Sequence, residues 1–153
     1  MKRILVFSFI LILLYAFKAP ESITWHPLKE GLELARSENK PVFLFLYVSW
    51  CDKCQRMDKK VFTNKEVQSI IEKNFIPVKL NPEIDSTIIR NDELLDRKIY
   101  LTDMGSGKFG LGVPTTVMYD IANNEHITLP GLLDPEELAE QMTLFLKKSG
   151  KGK

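Results

Sequence analysis

The sequence predicts an α/β fold of three layers, a central mixed sheet flanked by helices. Three observations predict it. The chain of 153 residues is 44% hydrophobic and 27% charged, the balance of one ordinary globular domain. Val42 to Val48 is an unbroken apolar run rich in aromatic and β-branched types, as in a strand buried on both faces. Around it, helical patterns alternate with short strand-like runs, so that the first two strands are joined by a helical crossover and lie parallel.

The N-terminus stands apart from that domain. Met1-Lys2-Arg3 is basic, and Ile4 to Phe17 is apolar apart from Ser8, the layout of an export signal. This run of 14 residues falls short of the roughly 20 that a membrane-spanning helix needs. Ala16 and Ala19 are the candidate cleavage positions, but bulky Leu14 and Phe17 precede them and Pro20 follows directly. Residues 1–19 are therefore expected to be a signal peptide, either removed or retained as a membrane anchor. Their removal takes Lys2, Arg3 and Lys18 with it and changes the net charge from +1 to −2, which argues against a nucleic-acid partner.

The domain is expected over residues 22–148. After Ser22 to Trp25, Leu28, Leu32 and Ala35 recur at helical spacing among charged residues, and Asn39-Lys40-Pro41 ends that helix. The apolar strand follows. Ser49 to Met57 then opens a second helical region that pauses at Thr63-Asn64 and resumes with Val67, Ile70 and Ile71. Phe75 to Leu80 is a second strand, with Pro77 pointing to an edge position or a bulge. Between Asn81 and Gly112 the pattern breaks, with a short helix expected over Asp92 to Tyr100 and glycines at 105, 107, 110 and 112; residues 81–112 are read as an insertion. Thr115 to Tyr119 and Ile127 to Leu129 form a strand pair about a turn at Asn123-Asn124. Asp134-Pro135-Glu136-Glu137 caps a last helix running to Lys147. Residues 149–153 are read as a flexible basic tail, its lysines solvated.

The chemistry lies in Cys51 and Cys54. Exported chains generally use cysteines to staple the fold, but two cysteines three positions apart close too small a loop to constrain it. A redox pair, a metal site and an inactive scaffold remain as readings. Zinc wants four ligands, and only His26 and His126 are left, both far from the pair in sequence, so no metal is expected. As a redox pair, Cys51 sits where the strand passes into a helix, and the unpaired N–H groups of a helix start favour its thiolate. Cys54 is one turn on, within reach of a disulfide. Cys51 is then the nucleophile and Cys54 the resolving thiol. Asp52 and Lys53 tune the couple with opposite charges, in opposite directions.

Lys40-Pro41, the apolar strand, Trp50-Cys51-Asp52-Lys53-Cys54 and Gly112-Val113-Pro114-Thr115 together resemble the thioredoxin superfamily, over residues 25–148. Exported thioredoxin-like proteins with a Trp ahead of the first helix, here Trp25, and a Met three places past the second cysteine, here Met57, are the most similar in appearance. The resemblance implies a thioredoxin-like three-layer fold with an insertion before the cis-proline strand. It implies that Pro114 is that cis-proline, that Val113 offers backbone groups to an extended substrate peptide, and that Trp50 faces the substrate.

Two departures stand out. Thioredoxins carry a buried Asp six positions before the first cysteine, and that position is Phe45 here, so either water or another carboxylate such as Asp52 takes the proton of Cys54 more slowly, or the protein runs with a different partner and rate. Pro114 also follows Cys54 by 60 positions, a wider spacing than in a minimal thioredoxin. The expected function is a thiol–disulfide oxidoreductase that reduces exported proteins in the periplasm or at the outer face of the inner membrane. It would use no cofactor beyond its own disulfide, would be recharged by a membrane or thioredoxin-type electron donor, and would touch the membrane only through residues 1–19. A non-catalytic binding module, and an oxidase or isomerase, are the other readings.

Overall fold

A computed structural model of the chain describes residues 22–81, 84 and 113–152. The expected export segment 1–19, most of the 81–112 insertion and its short helix lie outside the described residues.

Helix α1 (Leu28–Glu38) buries Leu28, Leu32 and Ala35, the residues that recur at helical spacing. It stops at Asn39, whose left-handed backbone (φ 52°) lets its N–H reach the Ala35 carbonyl; Asn tolerates that conformation because its short polar side chain bonds locally. Gly31 lies where α1 crosses the sheet, and a Cβ there would run into Val78.

Strand β1 (Val42–Leu46) is buried throughout. It is shorter than the apolar run, although Tyr47 N still donates to the Leu80 carbonyl at 3.1 Å beyond its end. Strand side chains alternate between faces. Val42, Leu44 and Leu46 therefore join α1 in one core layer, while Phe43 and Phe45 join Cys51, Cys54 and the remaining helices in the other.

The chain leaves β1 through helix α2 (Asp52–Arg56), which continues as a single π-helical turn (Met57–Val61) closed by Phe62 N on the Met57 carbonyl at 2.9 Å. Asn64 then caps α3 (Lys65–Asn74) by accepting from Glu66 N and Val67 N, which is the expected pause and restart. Strand β2 (Ile76–Leu80) pairs with β1 in parallel without a bulge, Val42 opposite Ile76 through Leu46 opposite Leu80. Pro77 is thus explained by an edge position. The outer side of β2 is partly covered by the N-terminal lead, where His26 N donates to the Pro77 carbonyl at 2.9 Å.

Strands β3 (Thr115–Asp120) and β4 (Glu125–Pro130) form the expected antiparallel pair, and β3 also pairs antiparallel with β1. The sheet order is β2-β1-β3-β4, a mixed sheet with helices on both faces, as the sequence predicts. Asn124 takes the positive φ of the turn, and Asp120 holds the turn by accepting from Ala122 N and Asn123 Nδ2. Helix α4 (Pro135–Lys148) starts with Pro135 in its first turn and Asp134 at the N-cap, but the Asp134 side chain makes no capping bond. It buries Leu138, Ala139, Met142, Phe145 and Leu146, with Phe145 stacked on Phe75.

The basic tail departs from expectation at Lys151. Its ammonium donates to the Asn39 carbonyl and Oδ1, both at 2.9 Å, and lies 3.1 Å from Asp120 Oδ1. Gly150, with φ +69°, turns the chain back for this contact. The reason is the buried Asp120 carboxylate, which needs a counter-charge that a count of lysines cannot reveal.

Candidate active site

The end of β1 and the start of α2 build the site. Cys51 N donates to the Val48 carbonyl at 3.2 Å, which folds the strand end into the helix start. Cys51 is the N-cap of α2 with extended backbone, and its Sγ accepts from Cys54 N at 3.1 Å. A cysteine sulfur in place of the usual Ser or Asp oxygen thus occupies the capping position. Cys51 and Cys54 are joined in a disulfide, their Cα atoms 5.2 Å apart. Both are buried, whereas Trp50 beside them is 70% exposed and Asp52 and Lys53 point to solvent.

Val113–Pro114 is a cis peptide. Thr115 pairs with Leu46, so Pro114 lies beside the end of β1 from which the chain runs on to Cys51. Val113 packs on the core layer that contains both cysteines. The fold thus brings Trp50, Cys51, Cys54, Val113 and Pro114 to one end of the sheet.

Two residues at this end were missed. The Pro114 carbonyl accepts from Gly131 N at 2.7 Å, Gly131 has φ +92°, and Leu132 beside it is partly exposed. Their only signal was the Pro130-Gly131 turn pair, which reads as punctuation until β3 and β4 are paired. The histidines lie elsewhere: His26 Nδ1 is 2.8 Å from Glu30 Oε1, and His126 sits opposite Tyr119 in the hairpin.

Beneath the cysteines, Phe45 is fully buried where the resemblance places an Asp. Its ring meets Phe62 edge-on at 4.8 Å, stacks with Tyr47 at 6.1 Å and lies 6.2 Å from Trp25. Opposite Phe45 on β2, Lys79 extends over these rings and pairs with Asp58.

A mixed sheet of this order, with a C-x-x-C disulfide at a helix start and a cis-proline beside it, defines the thioredoxin-type fold. Residues 24–120 match the family model described as Thioredoxin-like, and the chain belongs to that family. Spermatogenesis-associated protein 20 of Homo sapiens is 30% identical over 100 residues, 62% of this chain and 11% of that protein. The thiol:disulfide interchange protein DsbD of Cronobacter sakazakii is 30% identical over 92 residues, 60% of this chain and 14% of that protein. The chain thus spans only a small part of the length of either relative. Among solved structures, DsbH oxidoreductase superposes with a TM-score of 0.60 at 18% identity, covering 83% of this chain and 86% of that one. A thioredoxin from Thermus thermophilus gives 0.56 at 19% identity, covering 86% and 91%. At such identities these structures speak for the fold.

Proposed function

We propose that this chain is a thiol–disulfide oxidoreductase that reduces disulfides of exported proteins through Cys51 and Cys54. The observation that carries the reading is the Cys51–Cys54 disulfide at the α2 N-cap, with Cys51 Sγ already accepting a backbone N–H. The same donor and the start of the helical run Asp52–Val61 stabilise a thiolate on Cys51 once the bond is reduced.

In the reducing direction, the Cys51 thiolate attacks a substrate disulfide and forms a mixed disulfide; Cys54 then attacks Cys51, the internal disulfide closes and the substrate leaves reduced. Exposed Trp50, with Val113 and Pro114, forms the surface against which an extended substrate segment lies, and Asp52 and Lys53 adjust the couple from the solvent side. The chemistry needs no cofactor beyond the two sulfurs, and a membrane or thioredoxin-type donor restores the dithiol. The basic-then-apolar residues 1–19 support action outside the cytoplasmic membrane, in the periplasm or at the outer face of the inner membrane.

Cys54→Ser tests this reading, because it removes the resolving thiol and should accumulate mixed disulfides with envelope proteins. Direction is read from the potential of the couple against glutathione: a value near about −270 mV supports a reductase and one near about −120 mV an oxidase. One observation favours a binding module instead, the replacement of the buried carboxylate by Phe45. Failure of Cys54→Ser to trap any partner would favour that alternative.

A further inference from the structure

The replacement of Asp by Phe45 leaves open which group takes the proton of Cys54. The ladder neighbours of Phe45 are both polar, Lys79 on β2 and Thr116 on β3, and paired residues share a face. Thr116 Oγ1 is buried without a hydrogen-bond partner among the described residues. Position 45 is thus flanked by a cation and an orphan hydroxyl, a polar slot filled by an aromatic ring.

The cation has found its anion on the helix instead. Lys79 Nζ lies 4.9 Å from the Trp25 ring centroid, 5.5 Å from Tyr47, 5.7 Å from Phe45 and 6.0 Å from Phe62, and it is ion-paired with Asp58 Oδ1. The Lys79 side chain is 22% exposed, and an ammonium enclosed to that degree by rings calls for a counter-anion. Asp58 follows Cys54 by four residues on one continuous helical run, so it lies on the face of Cys54 one turn further on. Its side chain is 40% exposed, which gives a proton a way out to water.

We propose that Asp58, held in place by Lys79, accepts the proton of Cys54 during resolution of the mixed disulfide. The proposal rests on the oxidoreductase reading and names its proton acceptor. The Cys54 S–H gives its proton to the Asp58 carboxylate, directly or through one water. The freed electron pair of the Cys54 sulfur attacks Cys51 Sγ and forms the Cys51–Cys54 bond. The bond between Cys51 and the substrate sulfur breaks, and its electron pair leaves on the substrate thiolate. Asp58 then returns the proton through its exposed side to solvent or to the departing thiolate. Two electrons pass from the dithiol to the substrate, and no further reactant is needed. Lys79 acts through Asp58 and is a positioning residue.

The test uses the reduced full chain and the aromatic disulfide DTNB, which releases one coloured thiolate when Cys51 attacks and a second when Cys54 resolves the adduct. Asp58→Asn should slow the second release about tenfold or more near neutral pH, with the deficit closing as rising pH ionises Cys54 unaided. Lys79→Met should show a smaller slowing with the same pH trend, and Asp58→Glu should restore most of the rate. A second release in Asp58→Asn with the wild-type rate and pH profile overturns the proposal. So does an equal slowing of Asp58→Asn and Asp58→Glu at every pH, which would mark a purely structural pair. Absence of the first release in the wild type would remove the oxidoreductase reading itself, a distinct outcome.

Discussion

Cys51 Sγ accepts the backbone N–H of Cys54 at 3.1 Å, so the sulfur that would attack a substrate is also the cap of the helix that follows it. In the reduced protein that donor favours negative charge on Cys51, while Cys54 lies within the first turn and lends its N–H away. Iodoacetamide should therefore modify Cys51 well before Cys54 near neutral pH. Peptide mapping of partially alkylated protein checks this, and equal labelling of the two thiols would contradict it.

Among the described residues, Trp50 is the most exposed aromatic, 70% accessible beside two buried cysteines. Trp50→Ala should leave unfolding stability within about 0.5 kcal/mol of the wild type, as for other exposed sites. The same change should raise the KM for protein disulfides severalfold while sparing DTNB, a probe too small to use the surface. A matching loss with both substrates would instead place Trp50 in the chemistry of the cysteines.

Phe45 is buried among Trp25, Tyr47 and Phe62, and its removal leaves a cavity under the active helix. Phe45→Ala should cost about 3 to 5 kcal/mol in urea unfolding. A cost below about 1 kcal/mol would mean that the aromatic layer collapses around the gap and that Phe45 carries little of the fold.

Lys151 neutralises a buried carboxylate far along the chain, and Asp120 is 1% exposed in that pair. Lys151→Met should cost about 3 to 5 kcal/mol, because it removes the counter-charge of the buried Asp120 carboxylate. Lys147→Met on the exposed side of α4 should change stability by less than about 0.5 kcal/mol. Equal effects of the two substitutions would show that the C-terminal turn is not anchored through Asp120.

The parts legible in the sequence were those set by local pattern. The all-apolar run gave β1 its central place, Pro77 gave β2 its edge, and the Asn39 and Asn123-Asn124 signals marked the end of α1 and the hairpin turn. The C-x-x-C spacing identified the pair that forms the disulfide because a helix turn sets it, whatever the rest of the chain does. Gly131, Leu132, Asp58, Lys79 and Lys151 were not legible, since each acquires its role from a neighbour distant in sequence.

By itself, then, the sequence determined the element order, the paired cysteines and the departure at Phe45, all properties of residues close together along the chain. Tertiary structure decided that Lys79 meets Asp58 over an aromatic floor, that Gly131 N–H holds the Pro114 carbonyl, and that Lys151 folds back onto Asp120. The physical reason is that periodicity reports which face a residue takes. Which charge or donor stands opposite depends on strand order and register, and these are fixed only when the layers pack.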